Sequence, residues 1–177
     1  MFSILLLGFG AAATSAAATP ITYTVTGAYA GVGEGTFSGT FTYDATTNVY
    51  SAVNITATAG TAAPGRTYTA ASPTFSGSGV LRAVENPLVV GTSRGLPIVF
   101  SAPLTNAGGS VTITGGTEGI CQDAQCGTRG SPLRNIASGT VVGPAPVPTL
   151  SEWAMILFGT ILAGGAALVI QRRRMTA

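Results

Sequence analysis

A strict alternation of apolar and polar residues begins at residue 21 and constrains the fold more than any other feature of the sequence. In ITYTVTGAY, residues 21–29, Ile21, Tyr23 and Val25 alternate with threonines. A period of two residues places these apolar side chains on one face of a β-strand. The segment therefore predicts a strand with one buried face.

The next two apolar-polar segments predict a β-hairpin. They are GTFSGTFTY (35–43) and VYSAVNITAT (49–58), and the intervening DATTN (44–48) has the small polar residues that favour turns. The side chains expected to face the core are Phe37, Phe41 and Tyr43 on the first strand and Val49, Val53 and Ile55 on the second.

Weaker strand signals follow, separated by clusters of Gly, Pro, Asn and Ser. They lie at residues 66–70, 79–85, 87–91, 96–101, 110–115 and 136–142. No stretch before Glu152 has helical periodicity over three turns. Residues 19–142 are therefore expected to form an all-β domain, an antiparallel β-sandwich or small barrel of about eight short strands.

The composition limits the chemistry that the chain can perform. Only 8% of residues are charged, there is no His, and all eight basic residues are Arg. Ser-His-Asp and Cys-His catalytic arrangements are thereby excluded, and zinc lacks a common ligand. We therefore expect no enzyme, no metal site and no cofactor. Between Thr19 and Pro146 five arginines balance five acids, so we expect no nucleic-acid partner.

Cys121 and Cys126, in CQDAQC, are the only two cysteines. In an exported protein an even count at close spacing indicates a disulfide. Because the closed loop is short, the bridge is expected to contribute about 2 kcal/mol and mostly to pin a local turn. Four residues separate the cysteines rather than two, which disfavours a redox pair.

Other kinds of site have candidate residues by type alone. Paired carboxylates could hydrolyse a glycosidic bond, but each acid lies in a turn or in a segment expected to be exposed. These acids are Glu34, Asp44, Glu85, Glu118 and Asp123. Asp44 and Asn48 could offer oxygens to calcium, although they do not match an EF-hand loop. The same holds for Glu118 and Asp123.

Aromatic residues could form a platform on which a sugar stacks. Core packing is the commoner role of aromatic rings at strand spacing. The candidates are Tyr23, Tyr29, Phe37, Tyr43, Tyr50 and Phe100.

The N-terminus predicts export. An apolar run is followed by Ala16-Ala17-Ala18, which fits the small-residue pattern before a signal-peptidase site. Residues 1–18 are therefore expected to be a signal peptide, with a buried N-terminal strand or helix as the alternative.

The C-terminus predicts a membrane anchor. GPAPVP, residues 143–148, contains three prolines and is expected to be an extended spacer. Residues 153–170 are uncharged and almost wholly apolar, long enough for one transmembrane helix, with a buried core helix as the alternative. The basic tail, 171–177, contains Arg172, Arg173 and Arg174. Positive charge is retained in the cytoplasm, so the tail would fix the topology and leave the β-domain outside.

The residues between spacer and helix resemble a known signal. Val147-Pro148-Thr149-Leu150-Ser151-Glu152-Trp153-Ala154 precedes an apolar helix and an arginine-rich end. This arrangement closely resembles the IPTL-CTERM sorting signal, a relative of the PEP-CTERM signals of Gram-negative bacteria. The usual core reads Ile-Pro-Thr-Leu-Ser-Glu-Trp-Gly, so the chain departs from it at Val147 and Ala154.

The resemblance implies a route rather than a chemistry. It implies export, retention as an inner-membrane precursor with a periplasmic β-domain, cleavage near the motif by an exosortase-like enzyme, and delivery to the cell surface or the exterior. Recognition residues would be Val147, Pro148, Thr149, Leu150, Ser151, Glu152 and Trp153. Proteins with such signals are commonly associated with exopolysaccharide and biofilm production.

Rival functions remain open. A carbohydrate-binding module would expose two or three coplanar tyrosines on one sheet face, whereas a structural domain would bury them. An enzyme acting on surface glycans would need two carboxyl groups that face each other across a cleft, roughly 5 to 10 Å apart. A single-pass anchored protein that is never processed is a further alternative.

Overall fold

The computed structural model describes residues 19–31, 33–145 and 150–175. The predicted signal peptide, 1–18, lies outside the described residues, as do Val147, Pro148 and Thr149 of the motif. The chain divides after Pro144 into two units, which are described separately.

Antiparallel strands build the described part of the first unit, which confirms the all-β class. They are β1 (Ile21–Tyr29), β2 (Thr36–Asp44), β3 (Val49–Ala57), β4 (Arg66–Tyr68), β5 (Ala70–Ala71), β6 (Val80–Val84), β7 (Arg94–Phe100), β8 (Ser110–Gly115), β9 (Thr117–Cys121) and β10 (Arg129–Val142).

The strands form one sheet that curls round a common core. Their order is β4-β3-β2-β1-β10-β8-β7-β6-β5, and β9 pairs with both β10 and β7. β4 and β5 stand at opposite ends of this order, yet only Thr69 separates them in the chain. The N–H of Thr69 donates to the carbonyl of Val84 at 3.1 Å. The segment 66–71 thus joins the two ends of the sheet.

The predicted core of the first three strands is largely correct. Aromatic rings at alternate positions interlock, and the centroids of Tyr23 and Phe41 lie 5.6 Å apart. Predicted inward side chains that are buried are Tyr23, Val25, Phe37, Phe41, Tyr43, Val53 and Ile55. The later strands complete the same cluster with Tyr68, Leu81, Leu96, Ile98, Ile113 and Val141.

A bulge in β3 makes the prediction for Val49 wrong. Val49 is 54% exposed, whereas its neighbour Tyr50 packs against the core. Ala52 has a positive φ of 47°, and the register with β2 shifts between Thr40 and Thr42. One extra residue in a strand reverses the inward and outward alternation beyond it.

In the second half one predicted strand is a turn, and two stretches of strand were not predicted. Residues 87–91 form a turn, in which the carbonyl of Val89 accepts the N–H groups of Thr92 and Ser93. Pro87 at its start has no N–H to give to a ladder. Conversely, β9 and the first half of β10 carry Gly, Pro and charged residues without apolar alternation, so the pattern could not reveal them.

The outer face of the sheet carries neutral hydroxyl groups in place of charges. One row crosses six strands in register and consists of Thr67, Thr56, Ser38, Thr26, Thr140 and Thr112, all exposed. Cross-strand hydroxyl pairs and β-branched side chains suit a half-exposed sheet. This face explains how so weakly charged a domain presents a polar surface.

The second unit contains one described helix, α1 (Leu150–Met175), of 26 residues. The apolar segment predicted as helical, 153–170, lies inside it.

Candidate functional site

Glu118 forms the centre of a buried ionic cluster, which we call the Arg-Glu-Arg triad (Arg94, Glu118, Arg134). Glu118 in β9 lies opposite Arg134 in β10 in the strand register. Its Oε2 lies 2.6 Å from Nη2 of Arg134. The same oxygen accepts a hydrogen bond from Nε of Arg134 at 2.9 Å. Its Oε1 accepts Nη1 of Arg94, from β7, at 3.2 Å. Both carboxylate oxygens are therefore engaged by guanidinium groups.

The two arginines also tie the triad to neighbouring loops. Nη1 of Arg134 donates to the carbonyls of Glu34 at 2.9 Å and Thr58 at 2.7 Å. Nη1 of Arg94 donates to the carbonyl of Pro64 at 2.9 Å. These carbonyls belong to the loop before β2 and the loop between β3 and β4. The triad thereby fastens three strands and two loops at one end of the core.

Two tyrosines border the triad. The guanidinium carbon of Arg134 lies 3.9 Å from the ring centroid of Tyr29, a cation–π contact. Burial raises the pKa of Tyr29 and of Tyr68 well above the usual range, and the negative charge of Glu118 raises both further. Both phenols are therefore neutral at physiological pH.

The expectation that Glu118 is solvated was wrong, because the residue is fully buried. Carboxylates are buried only when they are paired. The partners lie 16 and 24 residues away in sequence, so no local pattern could reveal the pairing. Buried charged residues often mark functional sites, but both carboxylate oxygens of Glu118 have structural partners.

The other acids of the described β-unit also have partners. Oδ1 of Asp44 accepts a hydrogen bond from the N–H of Thr46 at 2.8 Å. Its Oδ2 accepts a hydrogen bond from the hydroxyl of Thr47, also at 2.8 Å. Glu85 pairs with Arg66 at 3.3 Å. The side chain of Asp44 thus closes the predicted turn at 44–48. Its pKa is lowered, and the hydrogen bond from the hydroxyl of Thr47 is the largest cause.

The predicted disulfide between Cys121 and Cys126 is confirmed, with an S–S distance of 1.97 Å. Inside its loop Asp123 accepts the backbone N–H groups of Gln125 and Gly127, each at 2.9 Å, and that of Thr128. These hydrogen bonds lower the pKa of Asp123 to about 2, and the bond from Thr128 has the largest effect. Asp123 is therefore a turn cap.

The disulfide loop is docked on the sheet by side-chain hydrogen bonds. The hydroxyl of Ser72 donates to the carbonyl of Gln125 at 2.7 Å. Nη1 of Arg82, in β6, donates to the carbonyls of Cys126 at 2.7 Å and Gly127 at 2.9 Å. Both sulfur-bearing residues are fully buried.

The aromatic residues do not form an exposed sugar platform. Tyr23, Tyr29, Tyr43 and Tyr68 are buried, and Tyr50 is part-buried. Of the aromatic rings described in residues 19–144, only that of Phe75 is exposed, at 39%. A cleft of about 100 Å³ beside Tyr50 and Pro73 is well below the volume of ordinary ligand sites. The described residues therefore do not show the exposed coplanar tyrosines expected of a carbohydrate-binding module.

Helix α1 holds the second half of the predicted recognition residues. Leu150, Ser151, Glu152 and Trp153 form its first turn, and the ring of Trp153 is 60% exposed. The three arginines expected to fix the topology lie near its end, from Arg172 to Arg174. Across the residues that the structure describes, no helix combines the length and the apolarity needed to cross a membrane. The span predicted over 153–170 is not confirmed.

Fold and C-terminal segment together define a class, an all-β domain followed by a separate helical segment that carries a sorting motif. The IPTL-CTERM motif, as a family model, matches residues 145–174. This motif implies an exported, membrane-anchored precursor and is consistent with processing by an exosortase-like enzyme. No curated protein and no solved structure matches the chain.

Proposed function

We propose that this protein is a structural component of a Gram-negative cell surface, and that an exosortase-like membrane enzyme recognises and cleaves its C-terminal segment. The match of the IPTL-CTERM motif to residues 145–174 carries the proposal. The β-domain is the cargo and performs no catalysis. Its destination is the exopolysaccharide or biofilm matrix.

The boundary between domain and motif supports cleavage. Two backbone hydrogen bonds mark the end of the described β-domain. The N–H of Gly143 donates to the carbonyl of Gly109 at 2.7 Å, and the N–H of Gly109 donates to the carbonyl of Pro144 at 3.1 Å. The motif begins one residue later, at position 145. An enzyme that cuts beyond Pro144 leaves every one of the described bonds of the domain intact.

The surface of helix α1 supports retention of the precursor before cleavage. Large apolar side chains are exposed along it, including Met155 at 77%, Leu157 at 65% and Phe158 at 65%. An apolar surface of this kind requires an apolar partner. We assign that role to the inner membrane, with the β-domain in the periplasm and the arginines on the cytoplasmic side.

The contacts of the β-domain support a structural role. The carboxylates of Asp44, Glu118 and Asp123 are occupied by hydrogen bonds or ion pairs. The tyrosines pack inside the domain, where they stabilise the fold and offer no stacking surface.

Replacement of Pro148, Thr149 and Leu150 with alanine tests the proposal. We expect the variant to be exported but to stay with the membrane at full C-terminal length, whereas the wild-type domain is released. Thr160→Ala, on helix α1 outside the seven predicted recognition residues, is the control and should be processed normally. Normal release of the triple variant would contradict recognition through the motif.

A further inference from the structure

A pair of arginines beside the disulfide has hydrogen-bonding capacity that the fold does not use. Arg82 lies in β6 and Arg129 at the start of β10. The head of Arg82 is held over the disulfide loop by its bonds to the carbonyls of Cys126 and Gly127. The side chain of Arg129 leaves the chain two residues after Gly127 and passes Gly95 beside the disulfide. Both side chains therefore lie beside the same loop.

Each of the two groups carries a buried nitrogen without a partner. Nε of Arg82 and Nη1 of Arg129 are shielded from water and make no hydrogen bond to any residue in 19–31, 33–145 or 150–175. A buried donor left unpaired costs free energy comparable with a lost hydrogen bond. Both side chains remain part-exposed overall, and none of the described salt bridges uses either of them. An anion can therefore approach the exposed part of each group from solvent.

The charges around the pair are not balanced. Burial lowers the pKa of Arg129, and the positive charge of Arg82 lowers it further. Burial also lowers the pKa of Arg82, and Asp123 opposes this effect. The oxygens of Asp123 are occupied by backbone N–H groups. Two positive charges thus face one negative charge, which favours an added anion.

The ring of Phe75 shapes one side of this surface. It lies 4.8 Å from the guanidinium carbon of Arg82, and packs so closely on Gly127 that a Cβ there would overlap it. An aromatic ring under one arginine orients its planar fork. Planar, oriented guanidinium groups match the two oxygens of a carboxylate or a sulfate.

We propose that Arg82 and Arg129 form a binding site for an oxyanion group on the outside of the exported domain. The ligand is a free small anion or the acidic group of a larger chain, and the chemistry of recognition is the same for both. The inference does not depend on the sorting route, because it concerns a site that is complete within the β-domain.

Calorimetric titration of the purified full-length chain tests this site with three probes: sodium sulfate, polygalacturonate and neutral dextran. We expect sulfate or polygalacturonate to bind, dextran not to bind, and added salt to weaken binding. Tighter binding of polygalacturonate per acidic group assigns the site to an acidic polymer. Binding of sulfate alone assigns it to small anions.

Arg129→Gln is the diagnostic variant, because the buried Nη1 of Arg129 has no hydrogen-bond partner among the described residues. Loss of one charge-assisted contact should weaken binding about tenfold. Arg129→Lys should be intermediate, since it keeps the charge and loses the fork. Arg66→Gln, which removes a more exposed arginine paired with Glu85, is the matched control and should bind normally. Absence of binding by both anions, or equal weakening in the Arg66 variant, would overturn the proposal.

Discussion

Oε2 of Glu118 lies 2.6 Å from Nη2 of Arg134, and both side chains are fully buried. Removal of one partner from a buried ion pair leaves an uncompensated charge and costs about 3–5 kcal/mol. We therefore expect Glu118→Gln to lower the free energy of unfolding by that amount, as measured by urea denaturation. Arg94 and Arg134 would both lose their anion.

The matched control is Glu85→Gln. The Glu85–Arg66 pair is partly exposed, with 16% and 41% of the two side chains accessible. Exposed pairs contribute about 1 kcal/mol or less. Equal losses in the two variants would show that the triad does not hold the core together.

The disulfide should contribute to stability beyond closure of its loop. Closing so short a loop is worth about 2 kcal/mol, and the docked loop adds the bonds from Ser72 and Arg82. We expect Cys121→Ala with Cys126→Ala to lower the melting temperature by several degrees while the sheet still folds. Loss of all β-structure in circular dichroism would contradict this expectation.

Gly95 is required by its contact with the disulfide. A Cβ at this position would overlap Sγ of Cys126, which the bridge holds in place. Overpacking of a fixed core typically costs about 1–3 kcal/mol, so Gly95→Ala should destabilise the domain in thermal denaturation. Gly115→Ala is the control, because its Cβ would meet open space. Similar melting temperatures for the two variants would refute the packing argument.

Asp123 should make stability depend on acidic pH. Its folded pKa of about 2 lies below the value of about 3.9 expected in the unfolded chain. The carboxylate therefore stabilises the native state above about pH 4, and this contribution is lost as the pH falls toward 2. Urea midpoints of wild type and Asp123→Asn should differ at about pH 5 and converge only below about pH 2. A difference independent of pH would contradict the capping role.

The strand pattern of the first half was predictable because its core is local. Alternation identified β1 and β2 almost to the residue, since inward rings such as Tyr23 and Phe41 alternate with small or polar residues. The failure at Val49 has a local cause as well. A bulge at Ala52 is a backbone event, and periodicity cannot signal it.

The polar sites could not be predicted because their partners are distant in sequence. Arg134 reaches the carbonyl of Glu34 across 100 residues, and Arg82 reaches the disulfide loop across 44. Spacing along the chain carries no record of such contacts. The sorting motif is the opposite case, because its recognition depends on a contiguous run of residues.

The most direct test of the sorting proposal is the intact mass of the protein from its native host, with and without the processing enzyme. The proposal predicts a mature species in the host that has the enzyme, beginning near Thr19 and ending between Ala145 and Trp153. Without the enzyme, a species that keeps Arg172, Arg173 and Arg174 should accumulate with the membrane. The same full-length C-terminus in both strains would contradict processing and leave the segment as a permanent anchor.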